Sequence, residues 1–313
     1  MLIRNFRNDD LLTIHRLWAE HWSISGIPCQ ISLRQFEQAI LSRLYFDPKD
    51  LLVAVVDGQL AGWCHRSRLP DSPQELVIPT LVVGEMIGSV TRSEIFSGLL
   101  RSAMADQEAN SCGVQLGVGD DWIHGYGGVD PLGPGVGVLD TDRELAAVAE
   151  QFGFTPSSRF VWMEGAVRDF RFPMNRDFMQ LRRVTQTRYT VGHVREVRRS
   201  QAYSHLDPKR IALLEGGGVE RCHLNFFLSD QHAEVMQPHR CLVLLDQEMQ
   251  REGMSSDALY LLACLVRDAA SHQLQFVDLT IQSDGEGLVI DQLRSLQFVQ
   301  TRTGAVWSKV AVS

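Results

Sequence analysis

The chain has 313 residues, 44% of them hydrophobic and 22% charged, with a formal net charge of −8. That length allows two domains of ordinary size, the composition is that of a globular protein, and the acidic balance argues against a generic nucleic-acid binder. No run is long and apolar enough to span a membrane, and the start from Met1 to Asp10 is too polar for a signal peptide, so the expectation is a cytoplasmic protein without a membrane partner. The 6 cysteines are scattered without a C-x-x-C pair, as reduced core cysteines are.

Met1 to Phe6 reads as a short strand. Asn8-Asp9-Asp10 then supplies an N-cap region for a helix on which Leu11, Ile14, Leu17, Trp18, His21 and Trp22 recur at helical spacing. A second helix is predicted from Leu33 to Leu44. Leu51 to Val56, the pair Asp57-Gly58 and Leu60 to His65 read as a hairpin with a tight turn. Gly98 precedes a helical pattern from Leu99 to Met104, and Val114 to Val118 reads as a strand. Residues 120–137 are dense in Gly and Pro, so an irregular loop is expected there. Trp122, His124 and Tyr126 are candidates for a substrate wall on that loop, and a purely structural loop is the alternative. Phe152-Gly153-Phe154 leads to Val161-Trp162. A linker is expected near Val167 to Asp177, with Pro173 as breaker. The arginines from Arg171 to Arg210 form either a basic surface for phosphates or a solvated face.

The second half opens with Gly216 to His223. An apolar strand from Cys241 to Leu245 leads into Gln250-Arg251-Glu252-Gly253-Met254-Ser255. A helix follows with Ala258, Leu259, Leu262, Leu265 and Ala269 on one face. Phe276 to Ile281, Leu296-Gln297-Phe298 and a strand through Trp307 close the chain. The first half holds the same sequence of elements: Cys64-His65 answers Cys222-His223, Gly98 answers Gly253, and Val161-Trp162 answers Val306-Trp307. This repeat predicts two like domains, residues 1–168 and 177–313.

The order of elements and the turn at 250–255 resemble the GCN5-related N-acetyltransferases, whose Q/R-x-x-G-x-G/A turn holds the pyrophosphate of acetyl-CoA on backbone amides at a helix N-terminus. Gln250, Gly253 and Ser255 stand at the motif positions, Ser255 in place of the last Gly or Ala. The resemblance implies an α/β (α+β) fold of two tandem acyl-CoA N-acyltransferase (GNAT-like) domains, each a twisted, mostly antiparallel sheet flanked by helices. It implies acetyl-CoA as cosubstrate, held by Leu244, Leu245, Gln250, Arg251, Glu252, Gly253, Met254 and Ser255. Counted from Gly98, the first-half turn has Ile95 in place of Gln or Arg and Leu100 in place of the second Gly, which implies a supporting or substrate-binding half. An ordinary βαβ turn with no ligand is the alternative reading of the turn at 250–255.

Acyl transfer to an amine needs a base and donors for the developing oxyanion. His239 and Glu85 stand ahead of the two turns and are the candidate bases, histidine being the side chain suited to proton transfer near neutral pH. The family's thiol-protonating tyrosine is replaced by Ala149 and Leu293, with Tyr260 and Tyr126 as substitutes. The implied acceptor is a small-molecule or peptide amine, and a catalytically inactive binding protein on the same fold is the alternative. No metal is expected, because Cys64-His65 and Cys222-His223 each send neighbours to opposite faces of a strand.

Overall fold

The computed structural model describes residues 1–24, 32–42, 46–68, 74–84, 90–105, 113–118, 135–192, 208–228, 239–283 and 287–310. The chain forms two compact units, Met1–Phe160 with Thr303–Ser313, and Val161–Arg302.

Unit one opens with β1 (Leu2–Asn5). Asp10 closes the turn that follows: its carboxylate accepts from the Arg7 amide at 2.8 Å and from the Arg4 guanidinium at 2.7 and 2.8 Å. Helix α1 (Leu11–Ile24) buries Ile14, Leu17, Trp18, His21 and Trp22. A helical segment follows, α2 (Leu33–Phe36), and widens into a π turn over Glu37–Leu41. The hairpin of β2 (Leu51–Val56) and β3 (Gln59–Arg68) turns through Asp57 and Gly58, at φ 49° and 80°. Positive φ at both positions matches the turn to the right-handed strand twist. Next come β4 (Glu75–Val83), α3 (Arg92–Met104), β5 (Gly113–Leu116), β6 (Val138–Leu139), α4 (Arg143–Gln151) and β7 (Thr155–Ala166). The strands run in the order β1-β2-β3-β4-β5, antiparallel except for β4 and β5. Helices α3 and α4 cover one face, with Ile95, Phe96, Leu99, Leu145 and Val148 packed on Leu52, Ala54, Ile78 and Leu116. Burying each such side chain contributes about 1.5–3 kcal/mol.

Gly98 does not precede a helix. It lies inside α3, where a Cβ would meet Met1 Cε at 2.4 Å, so it is a close-approach glycine. Ile95 and Leu100 are fully buried core residues of the same helix, not turn positions. The helix starts at Thr91, where a capping box forms: Glu94 N donates to Thr91 Oγ1 at 3.2 Å and Thr91 N to Glu94 Oε2 at 2.7 Å.

Unit two repeats the plan with α5 (Arg176–Val184), β8 (Thr185–Val191), β9 (Pro208–Glu215), β10 (Glu220–Leu228), β11 (Arg240–Leu244), α6 (Gln247–Glu252), α7 (Ser256–Ala269), β12 (Phe276–Gln282), α8 (Leu288–Ser295) and β13 (Phe298–Val310). Its strands run β8-β9-β10-β11-β12-β7, and the parallel pair is β11 with β12. Helix α7 is the centre of the core, with Leu261, Leu262, Leu265 and Val266 against Ile211, Leu224, Cys241 and Val277. Both units end their last helix on a left-handed residue, Gly153 at φ 80° and Gln297 at φ 67°. The Phe-Gly-Phe and Leu-Gln-Phe segments are therefore equivalent C-caps. The two Cys-His pairs are not equivalent. Cys64 pairs with Leu81 of β4, whereas β10 meets β11 only from Asn225 onward, beyond Cys222.

The compact units differ from a division at 168 and 177. The stretch 167–177 packs into unit two: Val167 is buried and donates its amide to Gln275 O at 2.9 Å, and Phe172 lies edge-on to Tyr260 at 5.8 Å. Strand β13 changes unit along its length. Phe298 belongs to the core of unit two, while Ala305 and Trp307 belong to that of unit one, where Trp307 to Val310 pair with β5.

Candidate functional site

The segment after β11 is more ordered than an open loop. Asp246 caps α6, its Oδ1 accepting from Met249 N at 2.8 Å. Gln250 to Glu252 are helical, and Gln250 is turned inward: its Nε2 donates to Leu245 O at 3.4 Å and its Oε1 accepts from Gln282 N at 3.2 Å. Gly253 ends α6 at φ 90°, ψ 165°, a conformation only glycine adopts without strain. A Cβ there would meet Leu288 Cδ2 at 2.7 Å. Ser255 caps α7, accepting from Ala258 N at 3.2 Å.

This geometry alters the amide cradle expected from Gln250 to Ser255. The Gln250 and Gly253 amides donate to Asp246 O and Met249 O, both at 3.1 Å. The Met254 amide donates to Gln292 Oε1 at 2.8 Å, and Gln292 Nε2 donates back to Met254 O at 2.8 Å. Leu244 is paired with Asn225 inside the sheet. The backbone positions left for a ligand are those of the first turn of α7, where Asp257 is bound by Arg221 at 2.8 Å.

The open face lies between the end of α6 and the start of α8. A cleft of about 560 Å³ is bordered by Gln250, Arg251, Glu252, Ile281, Gln282 and residues 287–290. It sits at the C-terminal end of β12, past the point where β11 and β12 stop pairing at Leu242 and Asp278. Leu288, Val289 and Ile290 are the first turn of α8, and its N-cap Gly287 provides no side-chain cap. Their amides are the orphan donors that a helix start leaves exposed, and the helix dipole adds positive potential there. Sequence reasoning did not single out the start of α8 as a border of the cleft. The signal was Gly287 ahead of an apolar run with none of the usual capping side chains.

His239 lies elsewhere. It precedes β11 at φ 67°, and its Nδ1 is 3.1 Å from Gln273 O. At a rise of roughly 3.3 Å per residue, it stands roughly 20 Å from Leu245. The structure therefore does not bring His239 to the cleft, because the two mark opposite ends of the parallel pair. Glu85, Trp122, His124 and Tyr126 lie outside the described residues. Tyr260 is core, 5% exposed and edge-on to Phe172 and Phe178.

A buried ionic cluster, also unread in the sequence, lies on the face of β12 and β11 away from α7. The Arg240 guanidinium donates to both Asp278 oxygens at 2.8 Å and to Glu164 at 2.9 Å. Trp162 Nε1 donates to Asp278 Oδ1 at 3.2 Å, and the guanidinium sits 4.6 Å from the centre of the Phe276 ring. Burial pushes the Asp278 carboxyl up to about 6, with Arg240 pulling the other way and Glu164 adding to the push. Among the described residues no group of three or more His, Cys, Asp and Glu is arranged to hold a metal.

In unit one, residues 85–89 and 119–134 beside the matching place lie outside the described residues. Arg92 Nη1 donates to Val83 O at 2.8 Å and Gly84 O at 2.7 Å, satisfying the carbonyls at the end of β4. Among the described residues a small cavity of about 20 Å³ is walled by His21, Thr80, Gly117, Gly137 and Asp142. His21 Nε2 is 3.4 Å from Asp142 Oδ2, and both are buried. Burial lowers the His21 pKa from its ordinary value, Asp142 opposes that, and Arg92 adds to it. The unfolded chain then takes up a proton that the folded chain refuses. Stability contributed here is intact above the unfolded value near 6.5 and falls as pH drops below it, by about 1.4 kcal/mol per unit at most. Chemical denaturation between pH 7.5 and 5 should show this slope and should lose it in His21→Leu. An unchanged slope would mean that His21 is charged in the fold.

No protein-family model matches the chain, and no curated protein matches it. Solved structures do. A GCN5-related N-acetyltransferase from Sphaerobacter thermophilus superposes with a TM-score of 0.64 at 12% identity, over 100% of this chain and 96% of that one. A tandem GNAT protein from the clavulanic acid biosynthesis pathway superposes with a TM-score of 0.62 at 14% identity, over 100% of this chain and 99% of that one. Two units with matching strand orders, and full-length superposition on a tandem protein at so low an identity, establish that this chain has the tandem GCN5-related N-acetyltransferase fold.

Proposed function

We propose that the chain is an acyl-CoA-dependent N-acyltransferase, with acetyl-CoA as cosubstrate and a small-molecule or peptide amine as acceptor, and that unit two holds the coenzyme. The observation that carries this reading is the cleft at the diverging ends of β11 and β12, bordered by the turn before α7 and the uncapped start of α8. Ligands of open α/β sheets favour the carboxyl ends of parallel strands.

The residues present fit a coenzyme A ester. The amides of 288–290 and the start of α7 suit a pyrophosphate, and Arg251 adds a cation at the rim. Ile281, Leu288 and Val289 offer an apolar wall to the pantetheine arm. Bound acetyl-CoA supplies an acyl group activated as a thioester. The chain's own groups orient it, screen it from water and answer its negative charge.

Thermal unfolding with acetyl-CoA tests binding. At one hundred times the dissociation constant the expected gain is about 2.7 kcal/mol. Thiol release with a panel of amines tests transfer, and acetyl-CoA that neither binds nor stabilises would sink the reading. A second reading, a coenzyme-ester binding protein without turnover, is favoured by the placement of His239 at the far end of β11. It predicts stabilisation by acetyl-CoA with no amine-dependent thiol release.

A further inference from the structure

The cleft at the end of β12 takes its walls from two separate parts of the chain, the end of α6 and the start of α8. One side chain joins those parts. Gln292 of α8 donates from Nε2 to Met254 O and accepts at Oε1 from Met254 N, both at 2.8 Å. A carboxamide presents donor and acceptor together, so it can hold both backbone groups of one residue at once. Leu288, at the rim of the cleft, lies one turn before Gln292 on the same face of α8. Gly253 lets the helix come this close. A Cβ there would meet Leu288 Cδ2 at 2.7 Å and Gln292 Oε1 at 3.3 Å.

The start of α8 needs such a tie. The helix has 8 residues, and its N-cap Gly287 offers no capping side chain. A helix that short is marginal by itself, and its uncapped first turn is where it frays. Val289, Ile290 and Leu293 press α8 into the core. That packing is non-directional and leaves the spacing between α8 and Gly253 to be set by the hydrogen bonds of Gln292. The other side of the cleft has a tie of the same kind, where Gln250 of α6 accepts from Gln282 N at the end of β12, at 3.2 Å.

We propose that Gln292 is a positioning residue of the coenzyme cleft. By holding Met254 through both its amide and its carbonyl, it sets the gap between the starts of α7 and α8, so that the amides of 288–290 and those of the α7 turn reach one ligand. Gln292 acts through these two backbones. The assignment rests on the reading of the cleft as a coenzyme site.

Acetyl-CoA is titrated calorimetrically into the full chain. Gln292→Ala should weaken binding roughly tenfold, the scale of one lost hydrogen bond, with the fold retained by circular dichroism. Gln292→Glu supplies a readout that loss of side-chain volume would not move. The ionised carboxylate accepts from Met254 N but cannot donate to Met254 O, and it adds negative charge near the ligand. The protonated carboxyl restores both bonds, and the carbonyl it faces raises its pKa above the usual value of about 4.3. The ratio of variant to parent dissociation constants should therefore shrink from pH 8 toward pH 5, while the ratio for Gln292→Ala stays level. Charged groups of the neighbouring elements are Arg251 and Glu252 of α6, Asp257 of α7 with Arg221, and the Asp291–Arg294 pair of α8. All are shared with the parent, so the ratio isolates residue 292. Binding by Gln292→Ala that equals the parent's overturns the proposal. Tighter binding overturns it too, and would mean that Gln292 occupies an amide the ligand needs. Amide exchange without ligand separates the tie from the coenzyme reading. Asp291 N donates to Gly287 O at 3.0 Å, the first bond of α8. In Gln292→Ala this amide should exchange roughly tenfold faster, although alanine is the better helix former. A parent that does not bind acetyl-CoA sinks the acyltransferase reading, and the exchange result then judges the tie alone. Unchanged exchange at Asp291 overturns it.

Discussion

Arg240→Met should destabilise the protein by about 3–5 kcal/mol near neutral pH, the range for breaking a buried pair by removing one partner. The guanidinium is the only cation bonded to both Asp278 and Glu164 among the described residues. Methionine keeps most of the volume and removes the charge, so two neighbouring carboxylates are left without it. The pH dependence gives the test its sign. Asp278 is already pushed up to about 6 with the arginine present, and it rises further without it. A folded-state value above the unfolded one means that the ionised carboxylate costs stability at neutral pH. That cost disappears as pH falls through the folded value. The gap between variant and parent in urea denaturation should therefore narrow from pH 7.5 toward pH 5. A double change, Arg240→Met with Asp278→Leu, removes the orphaned charge and should recover much of the loss, since apolar replacements of buried ion groups are often neutral or better. A single variant as stable as the parent at every pH would mean that the cluster is hydrated and contributes nothing.

That cluster also shows where the sequence was readable and where it was not. Elements whose signal is local came through. The Asp57-Gly58 turn, the α1 and α7 stripes and the segments that end α4 and α8 all carry their conformation in a few adjacent residues. Gly98 misled because a glycine inside a helix looks like a turn until its neighbour is known. The reason for it is Met1, distant in sequence. The crossing of β13 into unit one was invisible for the same reason, because a strand's partner is not written in its own pattern. Asp278 was visible in principle. In Phe276 to Ile281 the alternation sets Val277, Leu279 and Ile281 on the α7 side and Asp278 opposite, which called for a cation across the sheet. The segment 250–255 was read as an open cradle, whereas Gln250 to Glu252 are helical and Gln292 from α8 takes the Met254 amide, which no local rule foretells.

Leu288→Asp should weaken acetyl-CoA binding by about 1 to 3 kcal/mol, roughly tenfold to hundredfold, while leaving the fold as stable or slightly more so. The substitution separates binding from folding because its two effects have opposite sign. Leu288 is the first residue of α8, 50% exposed, and it borders the cleft. An acid in the first turn of a helix is favourable by about 0.3–1 kcal/mol. The same charge faces any phosphate that approaches the 288–290 amides. Gly253→Asp, the obvious alternative, cannot make this separation, because a side chain at φ 90° is strained and would strike Leu288. Calorimetry at low and high salt supplies a second check. Repulsion between charges at an open cleft is screened, so the loss of affinity should shrink as salt rises. Equal binding by parent and variant at low salt would remove α8 from the site and return the coenzyme to the first turn of α7. A loss that ignores salt would point to the missing leucine contact rather than to charge.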